Sequence, residues 1–154
     1  YGLIPTSQMD VVPNLATSYV GAKRTRQGDM VLNKLKAHLG VFALSAYDGL
    51  VSPDYAVYYG TGRADLEYLE YLFKTPLYVS EFIKKTTGVA IGFNRLYTDD
   101  LFSIPAHYPP MQEQKRIVDY LKDKTLKIEQ YVSARERERE LLDNLRLQMS
   151  SQKV

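Results

Sequence analysis

Two histidines and no cysteine among 154 residues leave few ways to build a catalytic or metal centre. His38 and His107 are far apart in sequence, and no His pair has the spacing that puts two ligands on one helix face. Without Cys there are no disulfides and no thiolate ligands, which fits a reducing compartment. No Gly-x-x-x-x-Gly-Lys loop is present to cradle phosphates, and Gly60-Thr61-Gly62 is too short for a dinucleotide site and reads as a turn. Pro53-Asp54 suggests a nuclease carboxylate, but no acid-x-Lys follows it closely. The next such triplet is Glu113-Gln114-Lys115. Tyr108-Pro109-Pro110 lacks the Asn or Asp that opens an amino-methyltransferase loop, and helix entry explains it better. No catalytic residue, metal or cofactor is expected.

The basic residues carry more information. Lys23, Arg24 and Arg26 form one group, Lys34 and Lys36 a second, Lys84 and Lys85 a third. Lys84-Lys85-Thr86-Thr87-Gly88 leads on to Asn94-Arg95. Lysines and arginines anchor phosphates, whereas Arg and Asn forks read base edges. Phosphate anchoring is therefore assigned to Lys23, Arg24, Arg26, Lys34, Lys36, Lys84 and Lys85. Base reading falls to Thr86, Asn94 and Arg95, with His38 as a further candidate. Each of these taken alone is more often a solvated surface residue. The net charge of +2 is small for a phosphate-binding protein. Tyr is abundant at 13 residues and suits wet interfaces, although most tyrosines simply edge a core.

The elements that must position these residues fall into two parts. Up to Tyr108 the pattern is mixed, and from Met111 to Val154 there is neither Gly nor Pro. Pro110 suits a first helical position, and Glu113 lies where negative charge complements the helix dipole. A helix from Met111 to about Gln148 would span roughly 55 Å and needs a partner element or chain. Ile117, Leu121, Ile128, Val132, Leu142, Leu145 and Met149 recur mostly at three- and four-residue steps or their multiples, a coiled-coil-like spacing. Arg135-Glu136-Arg137-Glu138-Arg139-Glu140 interrupts it, with favourable three-apart pairs and unfavourable four-apart ones.

In the first part, Met30–Leu35, Val41–Ser45 and Tyr55–Tyr59 read as strands between the Gly28-Asp29 and Asp48-Gly49 turn signals. Asp65 is placed to cap a helix carrying Leu66, Leu69, Leu72 and Phe73. Thr75-Pro76 opens another helix with Leu77, Val79, Phe82 and Ile83. Val89–Phe93 and Leu101–Ile104 read as closing strands. The expected fold class is α+β: a compact mixed α/β domain over residues 1–108, then one long C-terminal coiled-coil-forming helix over 109–154. No stretch of about 18 apolar residues is present, so no membrane span is expected. No secretion signal opens the chain, which points to a cytoplasmic protein. Its first residue, Tyr rather than Met, is expected of a piece of something longer.

Three segments occur in a specific order: Gly28-Asp29-Met30-Val31-Leu32-Asn33-Lys34-Leu35; Asp48-Gly49-Leu50-Val51-Ser52-Pro53-Asp54-Tyr55-Ala56-Val57; and Ile104-Pro105 followed by Pro109-Pro110-Met111-Gln112-Glu113-Gln114-Lys115-Arg116-Ile117-Val118. Together, from about Thr25 to Met149, they resemble the specificity subunit of type I restriction–modification enzymes. The resemblance implies a non-catalytic, DNA-binding target-recognition domain that reads one half of a split site on double-stranded DNA. It implies a spacer helix from about residue 109, with Pro110, Glu113, Gln114 and Ile117 marking the hinge. The implied partners are methyltransferase subunits and, in the full complex, a restriction–translocase subunit. The chain departs from the family in holding one recognition domain and one spacer helix, with a shortened opening segment. That implies pairing with itself, or with a second specificity half, through residues 117–149. The alternative is a protein-interaction adaptor that does not bind DNA and dimerises through the long helix.

Overall fold

The computed structural model describes residues 2–9, 19–90 and 93–151, with backbone alone for 87–90, 93, 94, 150 and 151. The chain divides into two compact units, Tyr1–Lys115 and Arg116–Val154. The fold is α+β with a long C-terminal helix, and no described helix is long and apolar enough to cross a membrane.

In the first unit, β2 (Met30–Asn33) is the centre of a three-stranded antiparallel sheet between β3 (Phe42–Leu44) and β5 (Tyr55–Tyr58). Its register pairs Val31 with Ala43 and with Val57. Met30, Val31 and Leu32 are all buried, as expected of a strand covered on both faces. β1 (Lys23–Thr25) pairs antiparallel with β4 (Gly49–Val51), and β6 (Thr87–Ala90) with β7 (Phe93–Arg95).

β2 is shorter than the strand read over Met30–Leu35. The Asn33 side chain accepts a hydrogen bond from the Leu35 amide at 3.1 Å and turns the chain into a 3₁₀ segment, Lys34–Leu39. Gly40 ends that segment at φ 66°. A Cβ there would also sit 3.0 Å from Val79 Cγ2, so both conformation and space call for glycine.

Asp65 caps α1 (Leu66–Phe73), its carboxylate accepting from the Tyr68 amide at 3.1 Å. Leu66, Leu69, Leu72 and Phe73 pack on the core, as the spacing predicts. α2 (Pro76–Lys85) follows with Pro at its start. Of the apolar residues named for it, Phe82 is buried and Val79 half-buried. Tyr78 and Phe82 are buried, while Leu77 and Ile83 are largely exposed. A four-residue step aligns Tyr78 with Phe82, and their rings join Phe42 and Phe73 in one cluster: Phe82 lies 5.1 Å from Phe42 and 5.8 Å from Phe73 between centroids.

The predicted strand at Leu101–Ile104 does not form. Thr98–Phe102 is the short helix α3, with Asp99 and Asp100 in its first turn, and Ile104 is buried just beyond it. The strand expected over Val89–Phe93 is a hairpin in part, with residues 91 and 92 outside those described.

The resembling segments act as joints. The Asp29 carboxylate accepts from the Arg26 amide at 2.8 Å, and the Asp48 carboxylate from the Gln27 amide at 2.9 Å, so both acids hold the β1–β2 turn. Gln114, 1% exposed, accepts from the Asp65 amide at 2.8 Å and donates to the Pro109 carbonyl at 2.7 Å. The first turn of α4 (Met111–Ser151) is thereby clasped to the start of α1, inside the first unit.

The second unit is the rest of α4. Ile117 and Leu121 are partly buried, whereas Ile128, Val132, Leu142, Leu145 and Met149 are exposed. So are Leu126, Tyr131, Leu141 and Leu147, which the predicted stripe omitted. Within the charged run, Arg135 pairs with Glu138 at 2.6 Å as the spacing predicts. Arg137 Nε instead donates to the Ser133 carbonyl.

Candidate nucleic-acid interface

The β4–β5 turn gathers cations from three separate elements. Lys23 comes from β1. Its ammonium donates to the Tyr55 carbonyl at 2.6 Å and to the Pro53 carbonyl at 3.2 Å. Lys34 comes from the 3₁₀ segment, and its amide donates to the Asp54 carbonyl at 3.2 Å. Arg95 ends β7, and its Nη2 meets Asp54 Oδ1 at 2.7 Å. The Leu96 amide donates to the Lys34 carbonyl at 3.0 Å, tying the chain after β7 to the 3₁₀ segment.

Among the described residues, Arg95 holds the Asp54 carboxylate in an ion pair, and Lys34 feels it at longer range. Partial burial, then the nearby charges of Lys23 and Arg95, hold the Lys34 ammonium below the usual lysine range, and Asp54 only partly offsets them. Positive charge that depresses a neighbouring lysine is charge that an added anion would relieve. Arg95 also lies 5.8 Å from the centroid of the Tyr97 ring, and its Nε is buried without a hydrogen-bond partner among the described residues. With one Nη held by Asp54 and Nε buried, the guanidinium is not free to offer its whole fork.

The other predicted site residues lie elsewhere or serve local structure. Arg24 is exposed on β1, where strand alternation turns it away from the side of Lys23 and Thr25. Arg26 is exposed at the β1–β2 turn, and Lys36 is exposed at a kink of the 3₁₀ segment. Lys84 pairs with Glu81 at 2.6 Å. It and the exposed Lys85 occupy the last turn of α2, where cations complement the helix dipole. The Thr86 hydroxyl donates to the Ile83 carbonyl at 2.8 Å and finishes that helix. His38 is partly buried, its Nδ1 without a partner among the described residues. Asn94 pairs with Gly88 through the backbone, and its side chain lies outside what is described.

Asp54 is the residue that sequence reasoning missed at this place, having been weighed only as a nuclease acid. Its ionic partner is 41 positions away, so no local signal joins them. Elsewhere in this unit, an apolar cleft of about 510 Å³ is lined by Met30, Tyr58, Tyr59, Leu66, Phe102 and Tyr108, among others, with Arg63 as its charged contributor.

Comparison of the chain with protein-family models and with curated proteins returned no match.

Proposed function

We propose that the chain is a sequence-specific DNA-binding module of the kind found in type I restriction–modification specificity subunits. It reads one half of a split site, has no catalytic role of its own, docks methyltransferase subunits and acts in the cytoplasm beside a restriction–translocase subunit. The observation that carries the reading is the convergence of Lys23, Lys34 and Arg95, from three elements, on one turn. Surplus positive charge on a structured scaffold is what anchors a duplex by its phosphates. Arg24, Arg26, Lys36, Lys84 and Lys85, away from this turn, are further phosphate contacts in this reading. Thr86, Asn94 and His38 are the base-reading candidates, while Arg95, a base reader by its sequence position, serves the phosphates in this reading. In this reading α4 is the spacer, pairing as a coiled coil with a second copy or a second specificity half.

The test is binding to random and cognate duplexes at two salt concentrations, with and without the methyltransferase subunit. Wild-type protein binds in a salt-sensitive way, and Lys34→Gln reduces the logarithmic salt slope by about one. Salt-insensitive binding, or none in either setting, sinks the reading.

The exposed apolar residues of α4 favour a second reading, an adaptor that uses the helix alone. That reading predicts self-association abolished by Leu142→Glu with Leu145→Glu, and no DNA binding at any salt.

A further inference from the structure

We propose that Lys23, Lys34 and Arg95 form a phosphate seat that Asp54 occupies in the free chain, and that a phosphate binds by displacing the Asp54 carboxylate from Arg95. That the phosphate belongs to DNA rests on the reading above; the seat itself rests on the geometry.

Each part has a distinct job. Lys23 is pinned by two main-chain carbonyls, at 2.6 and 3.2 Å, so its charge is fixed against the turn. Lys34 is lowered in proton affinity first by partial burial and then by the nearby charges of Lys23 and Arg95, which Asp54 only partly offsets. Arg95 makes one ion pair among the described residues, Nη2 to Asp54 Oδ1 at 2.7 Å, beside the Tyr97 ring, and its Nε has no hydrogen-bond partner among them. A carboxylate carries one negative charge and two acceptor oxygens, and a phosphate diester presents the same charge and a similar pair. Asp54 is therefore a chemical stand-in for the ligand. Its side chain is 46% exposed, so it can swing to water, whereas Arg95, at 26%, stays in place. The backbone of Asp54 is held independently, since its carbonyl accepts from Lys34. Release of the carboxylate does not require the turn to unfold. The arrangement sets a threshold: an anion must outcompete an internal carboxylate, which weakens binding to isolated phosphates and favours ligands with several.

The experiment titrates the full chain with inorganic tripolyphosphate by calorimetry, and with a labelled duplex by anisotropy across a salt series. Asp54→Asn should bind tripolyphosphate about threefold tighter than wild type, the scale of a partly exposed ion pair. Lys34→Gln should bind it more weakly by a similar factor. On DNA, Asp54→Asn should steepen the logarithmic salt slope by about one. A folded Asp54→Asn protein with unchanged or weaker tripolyphosphate affinity overturns the proposal. If that variant does not fold, the Arg95 Nε–H resonance of wild type carries the test. It should shift on tripolyphosphate addition, and a resonance that stays put at saturation overturns the displacement. Tripolyphosphate binding with no DNA binding keeps the seat and removes the DNA reading. Binding of neither overturns the seat itself.

Discussion

Replacing Gln114 by Ala should cost the first unit about 2–4 kcal/mol. The side chain is 1% exposed and makes two hydrogen bonds, to the Asp65 amide at 2.8 Å and the Pro109 carbonyl at 2.7 Å. Each bond contributes about 1 kcal/mol net, and each partner left unpaired away from water adds a desolvation penalty of similar size. For a unit of this length, about 4 °C per kcal/mol turns that loss into a midpoint drop of roughly 8–16 °C. Urea unfolding of the full chain, followed by tyrosine fluorescence and by circular dichroism, measures it. Amide exchange adds a local readout, because the Asp65 N–H should lose protection beyond the global change. Glu113→Ala is the control: Glu113 is the exposed neighbour on the same helix turn and should change stability by no more than about 0.5 kcal/mol. Gln114→Glu separates the two bonds. Its carboxylate still accepts from Asp65 but, when ionised, offers no donor to Pro109, so the loss should be larger at neutral than at acid pH. A Gln114→Ala loss below about 1 kcal/mol, with the urea dependence unchanged, would refute the clasp.

Other outcomes follow from the same contacts. Asp65→Ala should cost about 0.5–2 kcal/mol in urea unfolding and Asp65→Asn much less, because Asn keeps an acceptor for the Tyr68 amide. Phe82→Ala, at a side chain with no exposure and ring contacts to Phe42, Phe73 and Tyr78, should cost about 3–5 kcal/mol by the same measurement. Lys34 has a lowered folded pKa, so between that value and the ordinary 10.5 the unfolded chain binds more protons, and this group adds stability as pH rises through that window. An anion in the seat raises the Lys34 pKa again. Binding of tripolyphosphate just below pH 10.5 should therefore take up protons, measurable as a calorimetric heat that depends on the buffer's ionisation enthalpy; proton release would contradict the electrostatic account.

Local chemistry was legible and tertiary choices were not. Asp65 before an apolar stripe announced α1, and Pro110 followed by a run without Gly or Pro announced α4; each signal lies within a few residues of what it causes. On α2 the residues named from the sequence include Leu77 and Ile83, which are exposed, and omit Tyr78, whose ring packs with Phe73 and Phe82. Leu101–Ile104 is too short for periodicity to separate a buried strand from a helix end. At the candidate site, sequence adjacency grouped Lys23 with Arg24, and Lys34 with Lys36. The fold takes Lys23 and Lys34 from those groups and adds Arg95, because strand alternation and the Asn33 turn aim neighbours in different directions. The Asp54–Arg95 pair joins the β4–β5 turn to the end of β7, and only pairing in space reveals it.

The tether on Lys23 also bears on how fast and how faithfully this surface captures a ligand. A free lysine surrenders about 2 kcal/mol of rotamer entropy when a contact immobilises it. Here the Pro53 and Tyr55 carbonyls have taken that freedom during folding. Encounter with an anion then needs little rearrangement of this side chain, so fewer collisions are wasted on misaligned poses. The same rigidity cuts the other way: a charge that cannot wander does not follow a ligand displaced by an ångström or two. On the proposed reading, a tethered lysine discriminates by backbone position, and shape-dependent shifts in a phosphate track become legible to a residue that touches no base.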